Sequence, residues 1–217
     1  ALLDGDPRNN FLSRAFTYNP GDVLTGANNV TVAGNFAYIT TDRELVIVDL
    51  STPLQPRIAK QITFNQPRAV AVQFVYAFVV DADGLHTVDI KELQSRSEAV
   101  RVPGASVQLG HAHDVYVART YAYVANGPEG IAIIDVEKPE QPRLDQLFNA
   151  GGSLNDAHSV KVAMTNASLY AYVADGKNGL KVLQLTDPET MPTFSGFSPR
   201  PAPVHIATFK TKGEAVG

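Results

Sequence analysis

The chain has 217 residues, 44% of them hydrophobic and 18% charged, with a net charge of −4 and neither Cys nor Trp. That composition can bury a core and is not that of a disordered chain. It excludes disulfides, thiolate metal sites, a Cys nucleophile and covalent c-type haem within these residues, and its mild acidity leaves no electrostatic footprint for nucleic acid.

The start, Ala1-Leu-Leu-Asp4, has no Met and lacks the charged and apolar regions of a signal peptide, so a processed form or an internal piece is expected. Residues 11–18 read as a strand. From Asn28 onward the sequence repeats. Val30, Val70, Val115 and Val160 recur at steps of 40, 45 and 45 residues, and Tyr38, Phe78, Tyr123 and Tyr172 keep nearly the same period. Each unit opens with Val-x-Val alternation and continues through a second strand rich in Tyr, Phe, Ala and Val. A turn carrying Gly, Asn or Asp then leads to a nearly all-apolar third strand, as in 45–49 and 131–135, of the kind buried on both faces. A Pro-rich corner and a more variable fourth strand, such as 57–64, complete the unit. The longest apolar-rich run, Ala69 to Val80, is too short for a membrane helix, which needs about 20 residues.

Four strands per unit predict an all-β fold, a β-propeller of four-stranded antiparallel blades. A β-sandwich, the competing all-β fold, would not be expected to repeat one unit. The blades are placed at 28–64, 68–102, 113–148 and 158–209, in one domain spanning 1–217. In blade four, 203–209 is taken as the last strand, after a Pro-rich insertion from Asp187 to Pro203. Residues 11–18 then read as the outer strand of a preceding blade and 213–217 as the start of a further one. The expectation is four visible blades of a larger propeller, with a complete four-bladed propeller as the alternative.

Several of these segments resemble a known family. Leu45-Val-Ile-Val-Asp49, echoed by Ile131-Ala-Ile-Ile-Asp135 and more weakly by Leu85 to Asp89 and Leu180 to Gln184, is similar to the signature of the LVIVD-repeat β-propellers of bacteria and archaea. Ala112 to Val115, Tyr172 to Gly176, and the corners Asp49 to Pro53 and Asp135 to Pro139 match other parts of the unit. The resemblance covers roughly 28–210 and brings no catalytic residues with it. It implies an extracytoplasmic protein, periplasmic, secreted or on the cell surface. It also implies protein partners, a multihaem cytochrome among the candidates.

The position two residues before each Val anchor holds Asn28, Arg68, His113 and His158, with Glu214 at the next apparent entry. On the first strand of each blade these would form a polar ring at one mouth of the central channel, a solvated rim or a small-molecule, ion or partner site. His111, His113 and His158 are the candidate ligands for a transition metal, although Arg68 in the same ring would repel a cation. No other cofactor is expected. Asp81 to Gly84 begins like a calcium loop but lacks the rest of that pattern and reads as a hairpin turn. Asp49, Asp89 and Asp135 recur at the end of the third strand, as expected of residues that cap the following corner. Asn29-Val-Thr31 and Asn166-Ala-Ser168 match the glycosylation sequon, which would carry no sugar in a prokaryotic setting. A third reading, a glycan-binding adhesin or envelope domain, would use the aromatics Phe194 and Phe197 of the Pro-rich insertion. No hydrolase elbow, Walker loop, dinucleotide fingerprint or zincin helix occurs. The function expected is a non-catalytic interaction or scaffold module of a surface assembly. The alternative is a metal-binding or enzymatic propeller that uses the channel-mouth histidines.

Overall fold

A computed structural model describes residues 16–165, 168–189 and 197–217. It contains four antiparallel sheets of four strands, each built from consecutive segments. Blade one is β1 (Asn29–Ala33), β2 (Phe36–Thr40), β3 (Glu44–Asp49) and β4 (Arg57–Thr63). Blade two is β5 (Ala69–Gln73), β6 (Tyr76–Asp81), β7 (Gly84–Asp89) and, after a short helix α1 (Leu93–Arg96), β8 (Val100–Gln108). Blade three is β9 (Asp114–Ala118), β10 (Tyr121–Ala125), β11 (Ile131–Asp135) and β12 (Arg143–Phe148). Blade four is β13 (Ser159–Thr165), β14 (Ser168–Ala174), β15 (Leu180–Thr186) and β16 (Val204–Phe209).

The four blades have the strand order that the repeat demands, and β16 is the outer strand of the fourth, paired with β15. Blade two runs to Gln108, six residues past its expected end. The extension carries Pro103 and Gly104 inside the strand. On an outermost strand, however, Pro removes no ladder bond, and the pairing of β7 with β8 shifts register there and resumes. The strand expected over 11–18 falls largely outside the described residues. Phe16, Thr17 and Tyr18 carry no strand, and Tyr18, Val23 and Leu24 pack instead on blade one against Ala37, Val46 and Val48.

The core lies between the blades. Tyr38, Leu45 and Ile47 of blade one face Val70, Ala77, Val79 and Val88 of blade two. Phe78 and Leu85 of blade two face Val115, Ala122, Val124 and Ile134 of blade three in the same way. Tyr123, Ile131 and Ile133 of blade three face Val160, Ala171, Val173 and Leu183 of blade four. Thus in blades one to three the aromatic of the second strand lies over the Val anchor of the next blade's first strand. This explains why those two positions share one period in the sequence. The recurring aspartates cap the corners: Asp49, Asp89 and Asp135 each accept the backbone N–H two residues on, at 2.8, 2.9 and 2.9 Å. In blade four Asp187 takes that role for Glu189, at 3.0 Å.

Candidate functional site

The first strands β1, β5, β9 and β13 lie side by side at the centre of the blades. Before each of them, one residue donates its backbone N–H to the end of its own blade's second strand. Asn28 bonds Thr40, Arg68 bonds Val80, His113 bonds Ala125 and His158 bonds Ala174, all at 2.8–2.9 Å. These four residues therefore hold one position at one mouth. Their side chains link blade to blade. Asn28 Nδ2 donates to Pro67 O at 3.0 Å, and Arg68 Nη1 donates to Ala112 O at 2.7 Å. The rings of His113 and His158 face each other at 5.3 Å between centroids.

Glu214 is not at this position. Ala215 exchanges two backbone bonds with Gly176 just as Ala157 does with Gly127. Ala215 is thus the counterpart of Ala157, Val216 stands where His158 does, and Glu214 matches Asp156. Glu214 lies 3.7 Å from Lys177. His111 packs over Gly127 and donates its N–H to Asn126 Oδ1 at 3.1 Å.

Burial holds His113 below its ordinary value of 6.5, and the charges of Arg68, His158 and His111 push the same way, against Asp156. At neutral pH His113 is therefore uncharged. The sign of its effect on stability follows. The unfolded chain binds this proton more readily, so stability is complete above the unfolded value near 6.5 and is lost as the pH falls below it. His113→Asn is expected to shrink the drop in melting temperature between neutral pH and pH ~5. Thermal denaturation at several pH values checks this, and an unchanged drop would contradict it.

Beneath the histidine pair, Asp114 ties blade three to blade four. Its Oδ2 accepts from Ser159 Oγ at 2.6 Å, Val160 N at 3.1 Å and Lys161 Nζ at 2.7 Å. Asn29 plays a similar part between blades one and two, where its Oδ1 accepts from Val70 N at 3.4 Å. A groove of ≈ 380 Å³ runs along these inner strands, with Asn29, Thr31, Asp114, Tyr116 and Lys161 in its lining. Asn29 of the first sequon is thus engaged inside the inner ring, while Asn166 of the second lies outside the described residues.

Among the described residues, the group that brings three donor atoms within 4.8 Å of one another is Asp81, Asp83 and His86. Its atoms are already committed. Asp81 Oδ1 accepts from Asp83 N, Gly84 N and His86 Nε2 at 2.9, 3.2 and 2.8 Å. His86 Nδ1 meets Arg101 Nη2 at 2.7 Å, and the Arg101 guanidinium lies over the Phe64 ring. Burial pushes the Asp81 carboxyl up, but the bonds from His86, Asp83 and Asn65 outweigh it and hold it below its usual range. This network pins the β6–β7 turn, and the fixed guanidinium opposes any cation there.

One further feature left no mark in the sequence reading. The β5–β6 hairpin turns at Phe74, whose φ is +55°. The same turn position holds Gly34 at +58° and Arg119 at +56°. Phe74 is 84% exposed and borders a groove of ≈ 290 Å³ with Phe36, Val72, Val75, Ile90 and Leu93. The only hint is a Phe where the other two described first-hairpin turns carry Gly or Arg.

In comparison with known proteins, the LVIVD repeat matches residues 26–63, 67–102, 109–149 and 156–196. The chain belongs to the LVIVD-repeat family. Each LVIVD repeat takes in one mouth residue and one apolar third strand, so the ring of Asn28, Arg68, His113 and His158 is a position of the repeat whose residue type varies. No curated protein matches the chain in sequence. Among solved structures, the computationally designed Ika4 protein superposes with a TM-score of 0.57 at 12% identity, covering 81% of this chain and 100% of that one. The designed Ika8 protein gives 0.48 at 12% identity, over 74% of this chain and 46% of that one. Kluyveromyces lactis Hsv2 gives 0.46 at 12% identity, over 85% of this chain and 50% of that one. The LVIVD chain thus spans about half the length of the latter two. The Ika4 likeness supports the propeller-blade fold alone. No described helix is long and apolar enough to cross a membrane.

Proposed function

We propose that this LVIVD-repeat chain is a non-catalytic protein-interaction module of an extracytoplasmic assembly, and that a partner docks on its hairpin-tip face at Phe74. The observation that carries this is an exposed aromatic held in left-handed backbone. For a non-glycine residue that conformation costs about 1–2 kcal/mol. The side chain recovers little of it by burial, since it is 84% exposed. An outside contact gives such a residue a role, and bulky aromatics beside an apolar groove are the usual anchors of protein interfaces. The rigid blades beneath suit this use. The fold is consistent with an interaction module. The extracytoplasmic setting and the multihaem cytochrome as one partner class rest on the family resemblance.

Phe74→Gly tests the reading, because glycine accepts positive φ without strain. The variant is expected to be more stable by about 1 kcal/mol and to lose capture of the partner from an extract of the native source. Haem absorbance in the captured fraction distinguishes a cytochrome from other partners. Capture undiminished in the variant would refute docking at Phe74. The metal-binding alternative draws on the facing rings of His113 and His158. Metal analysis of native protein beside the double His113→Ala, His158→Ala variant checks it, and a stoichiometric metal lost only in the variant would favour it.

A further inference from the structure

One position recurs at the turn between the second and third strands. Thr41, Asp81, Asn126 and Asp175 hold it, all of them buried, and each side chain accepts backbone N–H groups. In blades one to three every polar atom there has a partner. Thr41 Oγ1 bonds Glu44, Asp81 bonds Asn65, Asp83, Gly84 and His86 through its two oxygens, and Asn126 bonds His111 and Glu129. Blade four is the exception. Asp175 Oδ1 accepts from Asn155 N at 3.1 Å and Asp156 N at 2.7 Å, but Oδ2 is buried and has no hydrogen-bond partner among the described residues. Lys181 Nζ stands 3.9 Å from Oδ2, just beyond hydrogen-bond reach. Lys181 is itself buried, at 6% exposure. By its pairing with Val173 it takes the place that His86 holds in blade two, and that Val46 and Ala132 hold in blades one and three. An enclosed lysine is rare, and a buried ion pair whose remaining bonds are unmade carries a net cost.

The geometry points to a covalent modification site, an isopeptide bond between Lys181 Nζ and the side-chain carboxyl of Asp175. The lysine amine is the nucleophile. The two backbone N–H groups on Oδ1 are donors fixed in advance, which stabilise the oxyanion as Cγ becomes tetrahedral and afterwards hold the amide oxygen. Oδ2, bare of hydrogen bonds, is the oxygen that leaves. Starting from ammonium and carboxylate, Nζ passes one proton to Oδ2, and its lone pair then adds to Cγ. A second proton moves from Nζ to Oδ2, the Cγ–Oδ2 bond breaks and water departs. A neutral amide with one N–H remains, and no other reactant is consumed. The bond replaces two buried charges and an unpartnered oxygen with one amide. Both groups are held on one hairpin, so the reaction is intramolecular and the entropy of bringing them together is already met.

Intact mass of the folded whole chain, followed by tryptic mapping, tests this. The wild type is expected to be lighter than its sequence by one water molecule. Trypsin is expected to spare Lys181, and the peptide ending at Lys177 should be joined to the one beginning at Asn178. Lys181→Arg keeps the charge but cannot form the amide, so it should show the full sequence mass. Lys181→Met, similar in length and uncharged, replaces it if the arginine variant fails to fold. A wild type at the full sequence mass would overturn the inference. So would a loss of water that persists in the variants, or one that maps to ring closure at Asp175-Gly176 with no branched peptide.

Discussion

Tyr123→Ala is expected to lower the unfolding free energy by about 3–5 kcal/mol, as a large side chain removed from a closed core does. Tyr123→Phe is expected to raise it by about 1 kcal/mol or more, because it removes an unpartnered buried hydroxyl. The two results come from one site. The ring of Tyr123 is 0% exposed between blades three and four, packed with Ile131, Ile133, Val160 and Val162. Its hydroxyl is buried and has no hydrogen-bond partner among the described residues. Burial pushes that phenol far above its ordinary value, so it stays neutral. The equivalent residue of blade two, Phe78, does the same packing without an oxygen. Urea denaturation of both variants checks the pair. A loss of stability in Tyr123→Phe would show that the hydroxyl is hydrogen-bonded.

Gly130→Ala is expected to cost roughly 3 kcal/mol, left-handed backbone and a backbone clash adding together. Gly130 has φ +79°, and a Cβ there would stand 2.3 Å from the carbonyl oxygen of Phe148. The clash follows from the blade itself, since the third strand starts directly beside the end of the fourth, where Ile131 pairs with Phe148. A backbone carbonyl cannot swing aside as a flexible side chain could. Gly104 supplies the control: its φ is +72°, but nothing lies within 4 Å of its Cβ position. Gly104→Ala should therefore cost only the conformational share, about 1–2 kcal/mol. Equal losses in the two variants would show that the close approach at Gly130 contributes nothing.

Much of the architecture was legible because the repeat couples positions that touch. The Val anchors and the aromatics share a period since each aromatic packs on the next anchor. The aspartates at 49, 89 and 135 recur because each caps the same corner. The illegible parts are those where one residue type meets different surroundings. Val30 reads like Val70, Val115 and Val160, yet it is 61% exposed while they are buried, because burial at this position comes from the adjoining blade and not from the residue. Glu214 was aligned through Val216 as an anchor, but the backbone bridge at Ala215 moves the register by two residues. Blade two, expected to end at Val102, continues to Gln108 because an outer edge strand tolerates Pro103. At the mouth, Asn28, Arg68, His113 and His158 do converge. What could not be read was that Asn28 and Arg68 reach across to hold the next blade. Phe74 gave no warning, since exposure and positive φ at a hairpin tip belong to the fold and not to the residue. Of the two aromatics of the Pro-rich insertion, Phe197 is exposed and Phe194 lies outside the described residues.

The reading of this chain as an interaction module rests on Phe74, and site-specific photo-crosslinking tests it most directly. A benzophenone side chain placed at 74 is compared with one at Leu54, which is also highly exposed but sits at the β3–β4 corner of blade one. In an extract of the native source, position 74 is expected to give one discrete protein adduct and position 54 none. No adduct at 74, or the same adducts from both positions, would contradict docking on the hairpin-tip face.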